Sequence, residues 1–298
     1  MAANSTTEFQ EFLNEELRKY KGVAIPVRAS LVERAVVRRL PCSKLHPNPE
    51  DEFTREDVGP SYRIISEYTA QYREVQRRGT VDFEDPLLVE KIKPDGYVIL
   101  NGHHRWAAAI RFGLKTVPVR IVNLTQEIDI RRAVANSSHD KRVTMDLDEV
   151  IFRSKDSEYL EKKLLFPVRH IYTERIKRGI PALFRFLTRN GYDIWLYSAL
   201  YYSMEDIEAF FRRYRVHVDG VVTGTGRRSH ADPKVKKELA SLVSSRYRET
   251  ITLNNDMIVR TRPGEKEFEQ YDLKEGDGAW SYEVMGIIEK LKAGKKVE

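Results

Sequence analysis

The chain has 298 residues, 41% of them hydrophobic and 32% charged, with a net charge of +6. At about 100–200 residues per domain, this length predicts two domains, each able to bury a core of its own. The single cysteine, Cys42, excludes an internal disulfide framework and disfavours a cysteine-built zinc site. No apolar run approaches the ~20 residues that span a bilayer. The modest positive charge fits a binder of phosphate or nucleotide, and fits an ordinary soluble surface equally well. The opening stretch MAANSTTEFQEFLNEELRKY is polar and carries acids, unlike a secretory signal, so a cytoplasmic location is expected.

Thr7 to Lys21 reads as an amphipathic helix, since Phe9, Phe12, Leu13 and Leu17 recur at helical spacing. Thr6 or Thr7 would cap it and Gly22 would stop it. Val36–Leu40 is expected to be a strand, followed by the turn-rich LHPNPEDEF. Tyr62–Arg78 is expected to be a helix ending near Gly79. Leu87–Ile92 and Tyr97–Leu100 make a hairpin around the Pro94-Asp95-Gly96 turn. NGHHR then leads into an apolar helix, WAAAIRFG, and Val117–Val122 is a further strand. This reading gives a helical extension over 1–35, a small α+β domain over 36–124, and a linker over 125–141 that is either helical or irregular.

From residue 142 to 298 the alternation is regular. Strands are expected at Val143–Asp146, Ile194–Ser198, Val218–Thr223 and Thr250–Leu253. Helices are expected at Ala182–Thr188, Met204–Tyr214, Pro233–Val243 and Trp280–Leu291. Strands alternating with helices imply parallel pairing with right-handed crossovers, and such sheets gather chemistry beyond the carboxyl ends of their strands.

The segment RVTMDLDEVIF sets Asp146 and Asp148 just past a buried strand. Residues i and i+2 of an extended chain share a face, so both acids turn to one place. Two like charges there call for a cation, most simply Mg²⁺. One carboxylate can then attack phosphorus while the other moves a proton. A solvated acidic turn is the plain alternative. The segment resembles motif one of the haloacid dehalogenase (HAD) superfamily, DxDx[TV] after a hydrophobic strand, and the resemblance covers about residues 142–292.

The resemblance implies a doubly wound parallel sheet, HAD-like and Rossmannoid, with a minimal cap. About thirty residues separate the first motif from the helix before Ser198, too few for a large cap domain. By the resemblance, Asp146 is the nucleophile that becomes an aspartyl-phosphate and Asp148 the general acid/base. By the same resemblance, Ser198 of IWLYSA would hydrogen-bond the phosphoryl group and Lys234 would neutralise it. Asp256 completes the metal site with Asp146 and Asp148. Two departures stand out. The lysine that many members carry before a proline is missing from His230-Ala231-Asp232-Pro233, and Asn254 and Asn255 stand where acids are often found. These put turnover in question, not the fold.

In DPLLVEKIKPDGYVILNGHHRWAAAIRFG, a glycine between strand and helix lets backbone N–H groups approach an anion, and the helix dipole favours it. Arg105 can grip a phosphate bidentately. His103 and His104 add donors or a proton acceptor near neutral pH. The stretch is similar to the ParB/sulfiredoxin superfamily. It has the G-x-[HR]-R step at Gly102-His103-His104-Arg105 and a proline, Pro86, at the entry to a strand. Upstream lies Pro47-Asn48-Pro49. The resemblance covers about residues 36–124 and implies nucleotide binding (ATP, ADP or CTP) at Gly102, His103, His104 and Arg105.

His103 stands where sulfiredoxins carry a cysteine, which disfavours that activity. No helix-turn-helix reader follows, which disfavours sequence-specific DNA binding. Free serine kinases of the superfamily use an upstream acid as base, a role open to Glu50 or Asp51, with a solvated acidic loop as the alternative.

Three functions compete. The first is a Mg²⁺-dependent phosphoryl-transfer enzyme, a phosphatase-type hydrolase, acting on a phosphorylated small molecule or nucleotide. The second is a nucleotide-binding regulatory or adaptor protein with a degenerate HAD-like domain. The third is a small-molecule kinase acting from the NGHHR loop. None involves a membrane, and oligomeric state is unreadable from the sequence.

Overall fold

A computed structural model describes residues 6–20, 24–78, 85–153, 157–165, 172–225, 233–264, 267–274 and 278–293. Gly22, Gly79 and His230-Ala231-Asp232 lie outside the described residues. The chain divides into two compact units, 1–123 and 124–298. Both are mixed α/β.

The first unit begins with helix α1 (Thr6–Tyr20), a two-residue strand β1 (Ile25–Pro26) and a short helix α2 (Leu31–Arg34). Ser30 and Glu33 form a reciprocal cap on α2. Strands β2 (Arg38–Pro41) and β3 (Leu45–His46) precede helix α3 (Tyr62–Arg78). Then come β4 (Leu87–Lys93), β5 (Tyr97–Asn101), helix α4 (His103–Phe112) and β6 (Thr116–Ile121). The sheet order is β2-β6-β4-β5-β3, with β1 also paired to β4. It is mixed: β4–β5 and β2–β6 run antiparallel, β4–β6 and β3–β5 parallel. Strand alternation buries Val117, Val119 and Ile121 on one face. They join Phe9 and Leu13 of α1, Tyr72 of α3 and the Trp106–Ala109 run of α4 in one core.

The second unit opens with helix α5 (Glu127–Ala135), inside the linker stretch that the sequence left open between helical and irregular. Its Ile130 and Val134 are buried against Trp195, Val222 and Tyr247. Next come β7 (Lys141–Asp146), helix α6 (Ile180–Arg189), β8 (Tyr192–Tyr197), helix α7 (Met204–Arg213), β9 (Gly220–Val222), helix α8 (Pro233–Arg246) and β10 (Glu249–Leu253). The chain then doubles back through β11 (Met257–Thr261) and β12 (Glu269–Asp272) before closing with helix α9 (Trp280–Lys292).

The sheet order is β12-β11-β10-β7-β8-β9. The four strands β9-β8-β7-β10 are parallel, and β10–β11–β12 are antiparallel. The wholly parallel sheet expected from the alternation is thus corrected to a mixed one. After Leu253 the chain turns at once, and Asn254 N–H donates to the Met257 carbonyl at 2.9 Å. A hairpin this tight permits only antiparallel return.

Side chains of β8 explain the layering. Ile194 and Leu196 enter the core with α6, α7 and α9, while Trp195 faces α5 and α8. Helices therefore cover both faces. In order of appearance the parallel strands run third, second, first, fourth, so the winding reverses between β7 and β10, where crevices form at carboxyl ends.

The outer edge of β9 is covered by one residue. Thr125 Oγ1 donates to the Val221 carbonyl at 2.9 Å and accepts the Thr223 N–H at 3.0 Å.

Candidate functional site

Asp146 ends β7, and its side chain folds back over the next turn. Its Oδ1 accepts the backbone N–H of Asp148 at 2.7 Å and of Glu149 at 2.8 Å. This cap fixes a single wide helical turn, Leu147–Ile151, whose Leu147, Val150 and Ile151 are buried. The turn swings Asp148 toward the end of β8. There Ser198, fully buried, donates its hydroxyl to Asp148 Oδ2 at 2.7 Å and accepts the Leu200 N–H at 3.0 Å. The other oxygen, Asp148 Oδ1, is buried with no hydrogen-bond partner among the described residues.

Burial pushes the Asp148 carboxyl above its ordinary value of 3.8; the Ser198 hydrogen bond works against the rise and the Asp146 charge adds to it. The Tyr202 phenol is also pushed up, first by burial, then by the charges of Glu174 and Asp148. The arrangement holds one carboxylate in backbone N–H groups and a second in a drier place beside it. A carboxyl raised in this way is suited to hold and hand on a proton.

The hairpin tip Asn254–Asp256 follows β10, the strand beside β7. Asp256 is exposed there, and its carbonyl accepts the Leu273 N–H at 2.7 Å. Lys234 lies exposed in the first turn of α8. No three His, Cys, Asp or Glu side chains converge among the described residues to hold a metal ion. Magnesium often takes only one or two carboxylates and keeps several waters. The two adjacent acids, with one orphaned buried oxygen, fit that donor set.

Sequence reasoning missed Lys177. It is 1% exposed, its amine lies 4.4 Å from the centre of the Trp280 ring, and it donates to Asn255 Oδ1 at 3.3 Å. Lysines are almost never fully buried without partners. Nothing in the local sequence TERIKRGI marks Lys177, because its partners lie in α9 and in the β10–β11 turn.

In the first unit the loop between β5 and α4 is built on Gly102, the residue before the helix, at φ 99. A Cβ there would lie 2.5 Å from Leu87 Cδ2, so glycine is required by both conformation and space. His103 is buried, and its Nε2 accepts the Asn48 N–H at 3.2 Å. That bond places the ring proton on Nδ1, which faces Asp51 Oδ1 at 3.5 Å. His104 Nε2 accepts the Ser61 N–H at 3.0 Å. Phe53 stacks on His103 and meets His104 edge-on, with centroids 5.4 and 4.9 Å away. The two histidines thus hold the loop that carries Pro47-Asn48-Pro49.

Arg105 donates to the Asp85 carbonyl at 2.7 Å and to Asn101 Oδ1 at 2.9 Å. Glu50 is exposed, with its N–H donated to Asn48 Oδ1 at 3.0 Å. Asp51 caps the turn Glu52–Thr54 through the Phe53 N–H. No helix among the described residues is long and apolar enough to cross a membrane.

No curated protein matches the chain. Among solved structures, a conserved hypothetical protein from Pyrococcus furiosus is similar at 17% identity over 84% of this chain and 98% of that one, with a TM-score of 0.23. The C-terminal domain of the coenzyme A biosynthesis bifunctional protein CoaBC is similar at 14% identity over 54% of this chain and 100% of that one, with a TM-score of 0.18. Residues 28–138, which take in the Gly102 loop and the strands around it, match the ParB N-terminal domain family.

Proposed function

We propose that the second unit is a HAD-like, magnesium-dependent phosphoryl-transfer domain, hydrolysing a phosphate monoester through an aspartyl-phosphate at Asp146. The observation that carries this reading is the Asp148 carboxylate: one oxygen on Ser198, the other buried and unpartnered, two residues from Asp146 at a strand's carboxyl end. Asp146 and Asp148 would hold the ion, which would supply charge neutralisation to the phosphoryl group; Asp256, exposed at the hairpin tip, does not join them in a three-acid cluster. With Oδ1 of Asp146 held by two N–H groups, Oδ2 is the attacking oxygen. Asp148 gives its proton to the leaving alkoxide. It then takes one from water, which attacks the aspartyl-phosphate and releases inorganic phosphate and the Asp146 carboxylate. Ser198 orients Asp148, and Lys234 offers a cation to the phosphate.

In the first unit, the ParB-like match and the left-handed Gly102 before α4 support a nucleotide phosphate site. Backbone N–H groups of the first turn and the Arg105 guanidinium would bind it, with His103 and His104 holding the neighbouring loop. ATP, ADP and CTP are the candidate ligands.

The test is hydrolysis of a broad phosphate-ester panel by the full chain with and without Mg²⁺. Wild type is expected to turn over at least one ester, and Asp146→Asn to abolish it while keeping the wild-type melting curve. A folded wild type inactive across the panel would overturn the hydrolase reading in favour of a nucleotide-binding adaptor. Titration calorimetry with ATP, ADP and CTP, and with Arg105→Ala, tests the first unit separately.

A further inference from the structure

We infer that Asn255 is a positioning residue for the Asp146 turn, acting as a clamp that only an amide can make. Its Oδ1 accepts from Arg153 Nη2 and from Lys177 Nζ, the latter at 3.3 Å. Its Nδ2 donates to the Glu149 carbonyl at 2.8 Å. The N–H of the same residue, Glu149, donates to Asp146 Oδ1 at 2.8 Å. One residue therefore links the Asn255 side chain to the carboxylate that ends β7.

The clamp is held from behind. Lys177 is buried over the Trp280 ring, and Trp280 Nε1 donates to the Asn254 carbonyl at 3.2 Å. Asn255 thus meets a cation that packing has already fixed. Arg153 fastens the same turn by a second route, since its Nη1 donates to the Glu149 and Phe152 carbonyls. Three segments distant in sequence meet at one side-chain amide: the Leu147–Arg153 turn, the strand-like stretch at Lys177 and the β10–β11 hairpin.

The chemistry selects the residue. A carboxylate accepts hydrogen bonds but donates none when ionised, whereas an amide does both. Aspartate at 255 would pair with Arg153 and Lys177 but set an oxygen against the Glu149 carbonyl oxygen. Alanine would lose all three bonds. The asparagine that looks, in sequence, like a missing acidic ligand is the group this junction needs. The kinetic part of this inference rests on the hydrolase reading, but the geometric part does not.

Two measurements keep the two ideas apart. The first is amide hydrogen exchange at Asp148 and Glu149 in the full chain, comparing wild type with Asn255→Asp and Asn255→Ala. Both variants are expected to lose about tenfold or more of the protection at these two amides, while β7 and β8 keep theirs. The second is the kinetic split on whichever ester wild type hydrolyses. Asn255→Asp is expected to lower kcat about tenfold or more with KM little changed, as for a group that orients the nucleophile. Asn255 is exposed at a hairpin tip, so both variants are expected to fold. Unchanged exchange at Asp148 and Glu149 in both variants would overturn the clamp. Lost protection in a chain with no hydrolase activity would support the clamp and sink the hydrolase reading alone.

Discussion

Ser198 donates its hydroxyl to Asp148 at 2.7 Å while the opposite oxygen of that carboxylate has no partner among the described residues. The two halves of one side chain thus stand in different surroundings. Burial raises the carboxyl from 3.8. A carboxyl raised on folding binds more protons folded than unfolded, so stability falls as pH climbs from about 3.8 through the raised value. Asp148→Asn removes that ionisation and keeps an acceptor for Ser198. Its melting temperature is expected to exceed wild type by about 2 °C or more at pH 7, with the gap closing near pH 4. Melts at the two pH values check this, and a variant less stable at pH 7 would refute it.

Asp193 is fully buried at the opposite end of the same sheet. It accepts from the Ser137 hydroxyl, from His139 Nδ1 at 2.7 Å and from the Tyr247 hydroxyl at 3.0 Å. Tyr247 in turn accepts the Trp195 Nε1–H at 2.9 Å. Asp193→Ala strands these donors and is expected to cost about 2–4 kcal/mol, with Asp193→Asn costing less. Urea unfolding of the full chain reads the loss as a lower midpoint; a cost below about 1 kcal/mol would show the network to be idle.

Gly102 and Gly113 flank α4, both left-handed, at φ 99 and 84. A Cβ at Gly102 strikes Leu87, whereas one at Gly113 meets nothing within 4 Å. Gly102→Ala is expected to destabilise the first unit by about 2 kcal/mol or more, Gly113→Ala by about 1 kcal/mol. Equal losses in thermal unfolding would show that the Leu87 contact is soft. If the loop binds nucleotide, affinity falls in the first variant and holds in the second.

His104 uses Nε2 to accept the Ser61 N–H, and burial lowers it from its ordinary 6.5 against a smaller opposing pull from Asp51. A histidine lowered on folding binds fewer protons folded than unfolded. Its contribution to stability is therefore full above 6.5 and declines as pH falls toward the lowered value. His104→Gln is expected to flatten this part of the stability–pH curve between pH 5 and 7. Parallel curves for variant and wild type would assign the acid sensitivity elsewhere, for instance to buried His46, also lowered by burial.

The elements legible in sequence share one property: their signal is local. β7, β8 and the β4–β5 hairpin show as apolar runs bounded by turns, and α4 as an apolar run after glycine. β11 and β12 did not show, because Met257–Val259 is an apolar run of only three residues, Glu269–Asp272 is polar, and their pairing is decided by the hairpin at Asn254–Met257. α5 stayed open between helix and linker because its buried face is only Ile130 and Val134 beside Asp129, too narrow a stripe to decide. In the candidate site, the Asp146–Asp148 spacing and Ser198 were visible because they sit at strand ends. The loop histidines were visible as chemistry, but not as the anchors of Asn48 and Ser61. Asn255 stood out only as a missing acid, and Lys177 and Arg153 carry no local mark, since the meeting of the three depends on chain closure over many residues.

Thr125 gives the second unit a boundary. By taking the Thr223 N–H and serving the Val221 carbonyl with one hydroxyl, it acts as a neighbouring strand one residue long. A bare outer strand of valines is a template on which other chains assemble. Here two of the groups that would recruit an incoming backbone, the Val221 carbonyl and the Thr223 N–H, are already taken. At the far side, β12 is a short polar strand, Glu269–Asp272, whose Glu269 is paired with Arg260 at 3.1 Å and Arg262 at 3.4 Å. The sheet is thus blunted at one margin by a hydroxyl and at the other by a short polar strand.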